Sequence, residues 1–185
     1  LHSSKHAKLY LEKLKQTIKY IGISDCNMEK GNLRVDINVS IRKKGDSKLG
    51  TRREVKNLNS FKSAQKAIEY EYLKQIELLE TGHKVEQSTL LWDEKNNKTR
   101  IIRKKEDAHD YRYFPEPDLP HLHISQEQIN KAYKTLPELP DQKFERFVNS
   151  YKVKEQDLKK LISNIELADY FESILKITNL HQETA

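Results

Sequence analysis

The sequence predicts an α+β fold, an antiparallel sheet with helices followed by an all-α segment. Three observations carry that expectation. Leu33, Val35, Ile37, Val39 and Ile41 alternate with Arg34, Asp36, Asn38, Ser40 and Arg42, the period of a strand with one buried face. Two other stretches, Ser4–Ile21 and Phe61–Thr81, place apolar residues at helical spacing. After Ser125 the pattern is helical to the end.

Taken in order, the first helix carries Leu9, Leu11, Leu14, Ile18 and Ile21 and stops at Gly22. The alternating run then forms a strand, residues 45–50 turn, and Thr51–Leu58 returns as a second strand antiparallel to the first. Asn59 or Ser60 caps a long helix whose expected apolar stripe is Phe61, Ala64, Ile68, Tyr72, Ile76 and Leu79, ending before Gly82. Val85–Trp92 and Thr99–Arg103 flank Asp93-Glu94-Lys95-Asn96-Asn97 as a hairpin. Beyond the Pro120–Ser125 boundary, Ser125 caps one helix, Pro140 opens another, and Gln156–Leu161 and Ile165–Ile177 complete the series. The expected division is residues 1–122 and 123–185.

Composition narrows the classes. Of 185 residues, 34% are charged, and no run is long and apolar enough for a membrane span. No signal-peptide pattern opens the chain, so the expectation is a cytoplasmic protein, with an organellar matrix as the other option. The single cysteine, Cys26, excludes an internal disulfide and a cysteine-built zinc site. A net charge of +6 permits a polyanionic partner without requiring one. The basic residues cluster at Arg42–Arg53 and Lys98–Lys105, either as phosphate-facing surfaces or as solvated strand ends and a loop.

Three places could carry chemistry. Asp36, Asn38 and Ser40 form a row on the polar face of the first strand, poor strand formers that either face solvent or floor a site. Glu54-Val55-Lys56-Asn57-Leu58-Asn59-Ser60-Phe61 leaves a strand and enters a helix N-terminus, where free N–H groups attract an anion beside Lys56. His109-Asp110-Tyr111-Arg112-Tyr113-Phe114-Pro115-Glu116-Pro117-Asp118 is held extended by its prolines, as a ligand-contacting strip or an interdomain linker. No glycine-rich phosphate loop, HExxH or nucleophile elbow is present.

The segment from Gly31 to Ser40, the segment from Glu54 to Phe61, Leu91-Trp92-Asp93-Glu94 and the segment from Ala108 to Leu119 resemble, in order and spacing, the B subunit of the aspartyl/glutamyl-tRNA amidotransferase. Leu136-Pro137-Glu138-Leu139-Pro140 and Glu166-Leu167-Ala168-Asp169-Tyr170-Phe171 extend the resemblance over nearly the whole chain. It implies the second half of a cradle domain similar to the glutamine synthetase catalytic domain, then the first helices of a helical domain. An internal fragment is expected, without the N-terminal part of the cradle or the C-terminal tail domain.

The resemblance further implies ATP-dependent amidation of misacylated Glu-tRNA(Gln), Asp-tRNA(Asn) or both. The side-chain carboxylate would be phosphorylated and ammonia would displace the phosphate. Implied cofactors are ATP and magnesium; implied partners are the tRNA, the glutaminase (A) subunit and a small C subunit. The expected roles are Lys56 neutralising the transferring phosphate and Arg112 clamping phosphate or substrate carboxylate. Asn38, Ser40, Asn57, Asn59 and Ser60 would orient the nucleotide or the acyl carboxylate, with Asp36 and Glu54 holding magnesium directly or through water. The family's main metal ligands belong to a motif this sequence lacks, so the piece alone is expected to be inactive. The rival expectation is a non-catalytic tRNA-binding or assembly module.

Overall fold

The computed structural model describes residues 1–104, 117–151 and 153–178. They fall into two compact units: Leu1–Glu12 with Asn27–Phe114, and Lys13–Cys26 with Pro115–Ala185. The first helix, α1 (Ser4–Tyr20), contributes its opening turns to one unit and its closing turns to the other.

The first unit is built on a four-stranded sheet in the order β1 (Ile37–Val39), β2 (Arg53–Lys56), β3 (Ser88–Asp93), β4 (Lys98–Lys104). The α+β class is as expected. One pairing differs: β1–β2 and β3–β4 are antiparallel, but β2 and β3 run parallel. The reason is the long helix α2 (Phe61–Glu80), a crossover between them that carries the chain back to the end of the sheet where β2 began.

The ladder of β1 is also shorter than the alternation suggests. Burial nevertheless keeps the period of two across residues 35–39, with Val35 and Val39 inside and Asp36 and Asn38 outside. The loop back to β2 closes tightly, because a Cβ on Gly50 would stand 2.1 Å from the Ile41 carbonyl oxygen; only glycine fits there.

Ser60 caps α2, accepting a hydrogen bond from the Ser63 N–H at 3.0 Å, and Gly82, at φ 77°, follows the other end. Its buried face follows the expected stripe only in part, with Ala64 buried and Phe61 packed against the core. Tyr72 and Leu79 are 51% and 52% exposed, whereas Ser63, Ala64, Ala67, Glu71 and Gln75 are buried against the sheet. Two alanines let the helix approach closely, and Glu71 and Gln75 each make one hydrogen bond to the sheet. Gln75 Nε2 donates to the Val39 carbonyl at 3.1 Å, and Thr99 Oγ1 donates to Glu71 Oε1 at 2.5 Å. Val35, Val55, Leu58, Leu90 and Trp92 complete the core, with Tyr70 edge-on to Trp92 at 6.4 Å.

In the second unit the helices are α3 (Gln126–Thr135), α4 (Pro140–Ser150), α5 (Glu155–Ser163) and α6 (Ile165–Thr178). Ser125 and Gln128 form a reciprocal capping box on α3, Pro140 opens α4, and Asn164 Oδ1 accepts from the Glu166 N–H at 2.9 Å to start α6. The core is Tyr20, Phe147, Leu158, Ile162 and Ala168. The Tyr20 hydroxyl donates to the Ile162 carbonyl at 2.7 Å; burial, helped by Asp169, pushes its pKa up to about 12. Arg146 makes a two-pronged pair with Glu138 at 2.6 Å and reaches Glu172 at 2.5 Å, while buried Lys143 bonds Asp169 and lies 3.5 Å from Glu172. Free Cys26 is buried in this unit. Among the described residues no helix is long and apolar enough to cross a membrane.

Candidate active site

The sheet has two faces, and α2 occupies one. Register identifies what stands on the other. Asn38 lies directly opposite Glu54 in the β1–β2 ladder, and Lys56, two residues on, shares that side. The side chains agree: Lys56 Nζ lies 3.4 Å from Glu54 Oε1 and 3.9 Å from Asp36 Oδ2. Arg34 adds a second cation to Asp36 at 3.1 Å, and Thr89 Oγ1 donates to Glu54 Oε2 at 3.2 Å from β3. The result is a patch of carboxylate, amide, hydroxyl and ammonium groups.

The chain leaves this patch by a turn whose every residue has a different task. Asn57 takes a left-handed backbone, φ 66°, which asparagine tolerates better than other side chains with a Cβ, and its Nδ2 donates to the Trp92 carbonyl at 3.2 Å. Leu58 drops into the core, Asn59 is exposed, and Ser60 caps α2. The Ser63 hydroxyl donates to Glu94 Oε2 at 2.6 Å and the Trp92 indole N–H donates to the same oxygen at 2.7 Å. These bonds, from Ser63 first and Trp92 next, hold the Glu94 carboxyl below the usual glutamate range. The Leu-Trp-Asp-Glu segment therefore fastens the Lys-Asn-Leu-Asn-Ser turn.

Of the residues named from sequence, the structure brings Asp36, Asn38, Glu54 and Lys56 together on one face. Ser40 follows the end of β1 and is half-buried. Asn57 and Ser60 have the structural bonds just described, and Arg112, with 109–116 of the aromatic strip, lies outside the described residues. The basic stretch 42–53 needs one correction. Arg53 is buried at 7% exposure, 3.7 Å from Glu71 Oε2 and bonded through Nε to the Glu86 carbonyl at 3.3 Å, so it cannot face a phosphate. It alternates onto the core face because Glu54 takes the other. Sequence reasoning missed Thr89, which has no local signal, and Arg34, whose two-residue offset from Asp36 gave one.

Asp36 and Glu54, with the Asn38 amide oxygen opposite, are the hard oxygen donors that suit magnesium, a cation that takes few protein carboxylates. Among the described residues no group of three or more His, Cys, Asp or Glu side chains is placed to hold a metal. Two carboxylates sharing an ammonium are a partial donor set.

A family model described as the GatB/GatE catalytic domain matches residues 1–130. The B subunit of the aspartyl/glutamyl-tRNA(Asn/Gln) amidotransferase of Clostridium kluyveri is 49% identical over 178 residues, 96% of this chain and 37% of the relative. Its counterpart in Carboxydothermus hydrogenoformans is 52% identical over 176 residues, 95% of this chain and 37% of its own length. The counterpart in Persephonella marina is 50% identical over 177 residues, with 96% and 37% covered. The chain thus spans little more than a third of the curated relatives it matches.

Proposed function

The chain belongs to the GatB/GatE catalytic-domain family, and on that premise we propose that it supplies part of the amide-forming site of an aminoacyl-tRNA amidotransferase. The reading is ATP-dependent conversion of Glu-tRNA(Gln), Asp-tRNA(Asn) or both to the amide, by a protein that works with a glutaminase subunit and a small third subunit. The observation that supports it is the placement of Asp36, Glu54 and Lys56 on one sheet face, two acids within 4 Å of one ammonium.

A carboxylate oxygen leaves only after it has become part of a phosphate. When bound, ATP would supply that phosphoryl group and magnesium would offset the negative charge of its phosphates. Asp36 and Glu54, with Asn38 beside them, would hold the metal. Lys56, steadied between the two acids, places a positive charge where negative charge grows on the transferred group. The exposed Asn59 and the N-terminal N–H groups of α2 would orient the nucleotide or the acyl carboxylate, while Asn57 and Ser60 keep the turn in shape. Arg112 would clamp phosphate or carboxylate.

The test is Lys56→Met in the full-length protein assembled with its partners, assayed with each misacylated tRNA. Methionine keeps much of the stem and deletes the charge. Turnover is expected to fall roughly a hundredfold, about 3 kcal/mol of transition-state stabilisation, with little change in tRNA binding. A raised Michaelis constant with unchanged turnover would make Lys56 a tRNA-positioning residue and defeat the catalytic role.

A further inference from the structure

Strand β4 carries Arg100 and Arg103, three residues apart, an interval that in a regular strand sends two side chains to opposite faces. Here a break in register overrides the alternation. Leu91 lies opposite Arg100, Leu90 opposite Ile101, and Thr89 opposite Arg103, so Ile102 is the extra residue of a bulge. Directly paired residues share a face. Arg100 therefore stands on the side of Leu91 and, through the parallel register, of Lys56; Arg103 stands on the side of Thr89 and Glu54. The Thr89–Glu54 hydrogen bond identifies that side independently.

Two rows thus cross the sheet: Asp36, Lys56, Leu91, Arg100, and Asn38, Glu54, Thr89, Arg103. Their charges are unevenly matched. Lys56 has both acids, whereas Arg100 and Arg103 are exposed and, among the described residues, neither pairs with a carboxylate. Asp93 feels the Arg100 charge only as the weakest influence on its carboxyl, which is held down mainly by Asn96. A bulge that aims a second arginine at a patch already holding Lys56 makes a cationic margin two strands, about 10 Å, from that patch.

We propose that Arg100 and Arg103 bind the phosphodiester backbone of the RNA whose aminoacyl end is placed at Asp36, Glu54 and Lys56. This rests on the amidotransferase reading of that patch. Guanidinium forks match phosphate oxygens in pairs. Cations strung along β4, the last strand of the sheet among the described residues, with Lys98 next in the row, suit a linear polyanion, whereas a compact triphosphate would be gathered at the Lys56 patch itself. The competing explanation is that the bulge and the basic residues protect an exposed edge from pairing with other chains.

The experiment is Arg100→Gln with Arg103→Gln in the full-length protein and its complex, with three readouts. Affinity for tRNA across a salt series is expected to fall several-fold, and the salt slope to flatten by about one to two units for two lost phosphate contacts. ATP affinity and sedimentation behaviour are expected to stay as in the parent. Unchanged tRNA affinity and slope overturn the proposal. A loss confined to ATP overturns it in favour of the nucleotide phosphates, and self-association with unchanged tRNA affinity in the remaining soluble complex overturns it in favour of edge protection. Should the variant not fold, the parent complex decides: tRNA, and not ATP, is expected to shield Arg100 and Arg103 from an arginine-selective dicarbonyl, and equal labelling with and without tRNA refutes the contact. A tRNA effect here together with full turnover in Lys56→Met would retain the RNA contact and reject the catalytic assignment. The reverse pair of results would do the opposite.

Discussion

Asn57 shows how one residue shapes the turn beside a candidate site. Its left-handed backbone ends β2 just after Lys56, and its amide ties the turn to the Trp92 carbonyl. Asn57→Gly keeps the backbone free to adopt that geometry and loses only the hydrogen bond, an expected cost of about 1 kcal/mol. Asn57→Ala loses the bond and adds a Cβ in the left-handed region, and about 2 kcal/mol is expected. Urea denaturation of the two variants checks the order, and equal costs would show that the backbone geometry contributes nothing. Lys56 is different in kind, since its effect is expected on turnover. Arg100 and Arg103 sit between these cases, with an effect expected on RNA affinity alone.

At the level of elements, α2 is attached to the sheet by a polar seam. Glu71 is fully buried with Arg53 at 3.7 Å and Thr99 at 2.5 Å, and its Oε2 has no hydrogen-bond partner among the described residues. Such a pair adds little over an apolar contact, yet removing one member strands the other. Glu71→Gln keeps the shape and the Thr99 bond but leaves the Arg53 guanidinium buried without a counter-charge, with an expected loss of about 3 kcal/mol. Adding Arg53→Met should restore most of it, because methionine fills the space and requires no partner. If the double variant is as unstable as Glu71→Gln, the seam does not act as a pair. The consequence for the site is direct: Arg53 neighbours Glu54, so a strand shifted by loss of the seam would carry Glu54 and Lys56 with it.

For the whole molecule, the described residues form two units with separate cores, one around Trp92 and Leu90, the other around Phe147 and Leu158. Truncating a buried aromatic costs roughly 3–5 kcal/mol through lost transfer energy and the cavity left behind. Trp92→Ala is expected to speed amide hydrogen exchange across β2, β3 and α2, and Phe147→Ala across α4, α5 and α6. Mass spectrometry of exchanged peptides reads both, and uniform acceleration of every peptide by either variant would mean that the cores open as one.

What the sequence determined by itself follows from properties that act locally. Period-two alternation over residues 35–39 placed Asp36 and Asn38 on the polar face; Ser60, Ser125 and Pro140 marked helix starts because capping needs only nearby N–H groups; and the motifs carried the family. The tertiary structure decided what depends on partners distant in the chain. It made β2 and β3 parallel, because α2 crosses between them. It turned the small and polar side of α2 inward, because Val39, Arg53, Thr99 and Glu94 supply bonds that no helical period can reveal, leaving Tyr72 and Leu79 exposed. It buried Arg53 out of a basic stretch, and it brought Arg103 to the side of Glu54 by one extra residue in β4. Alternation fixes which neighbours share a face only while the register is unbroken, and register belongs to the pair of strands.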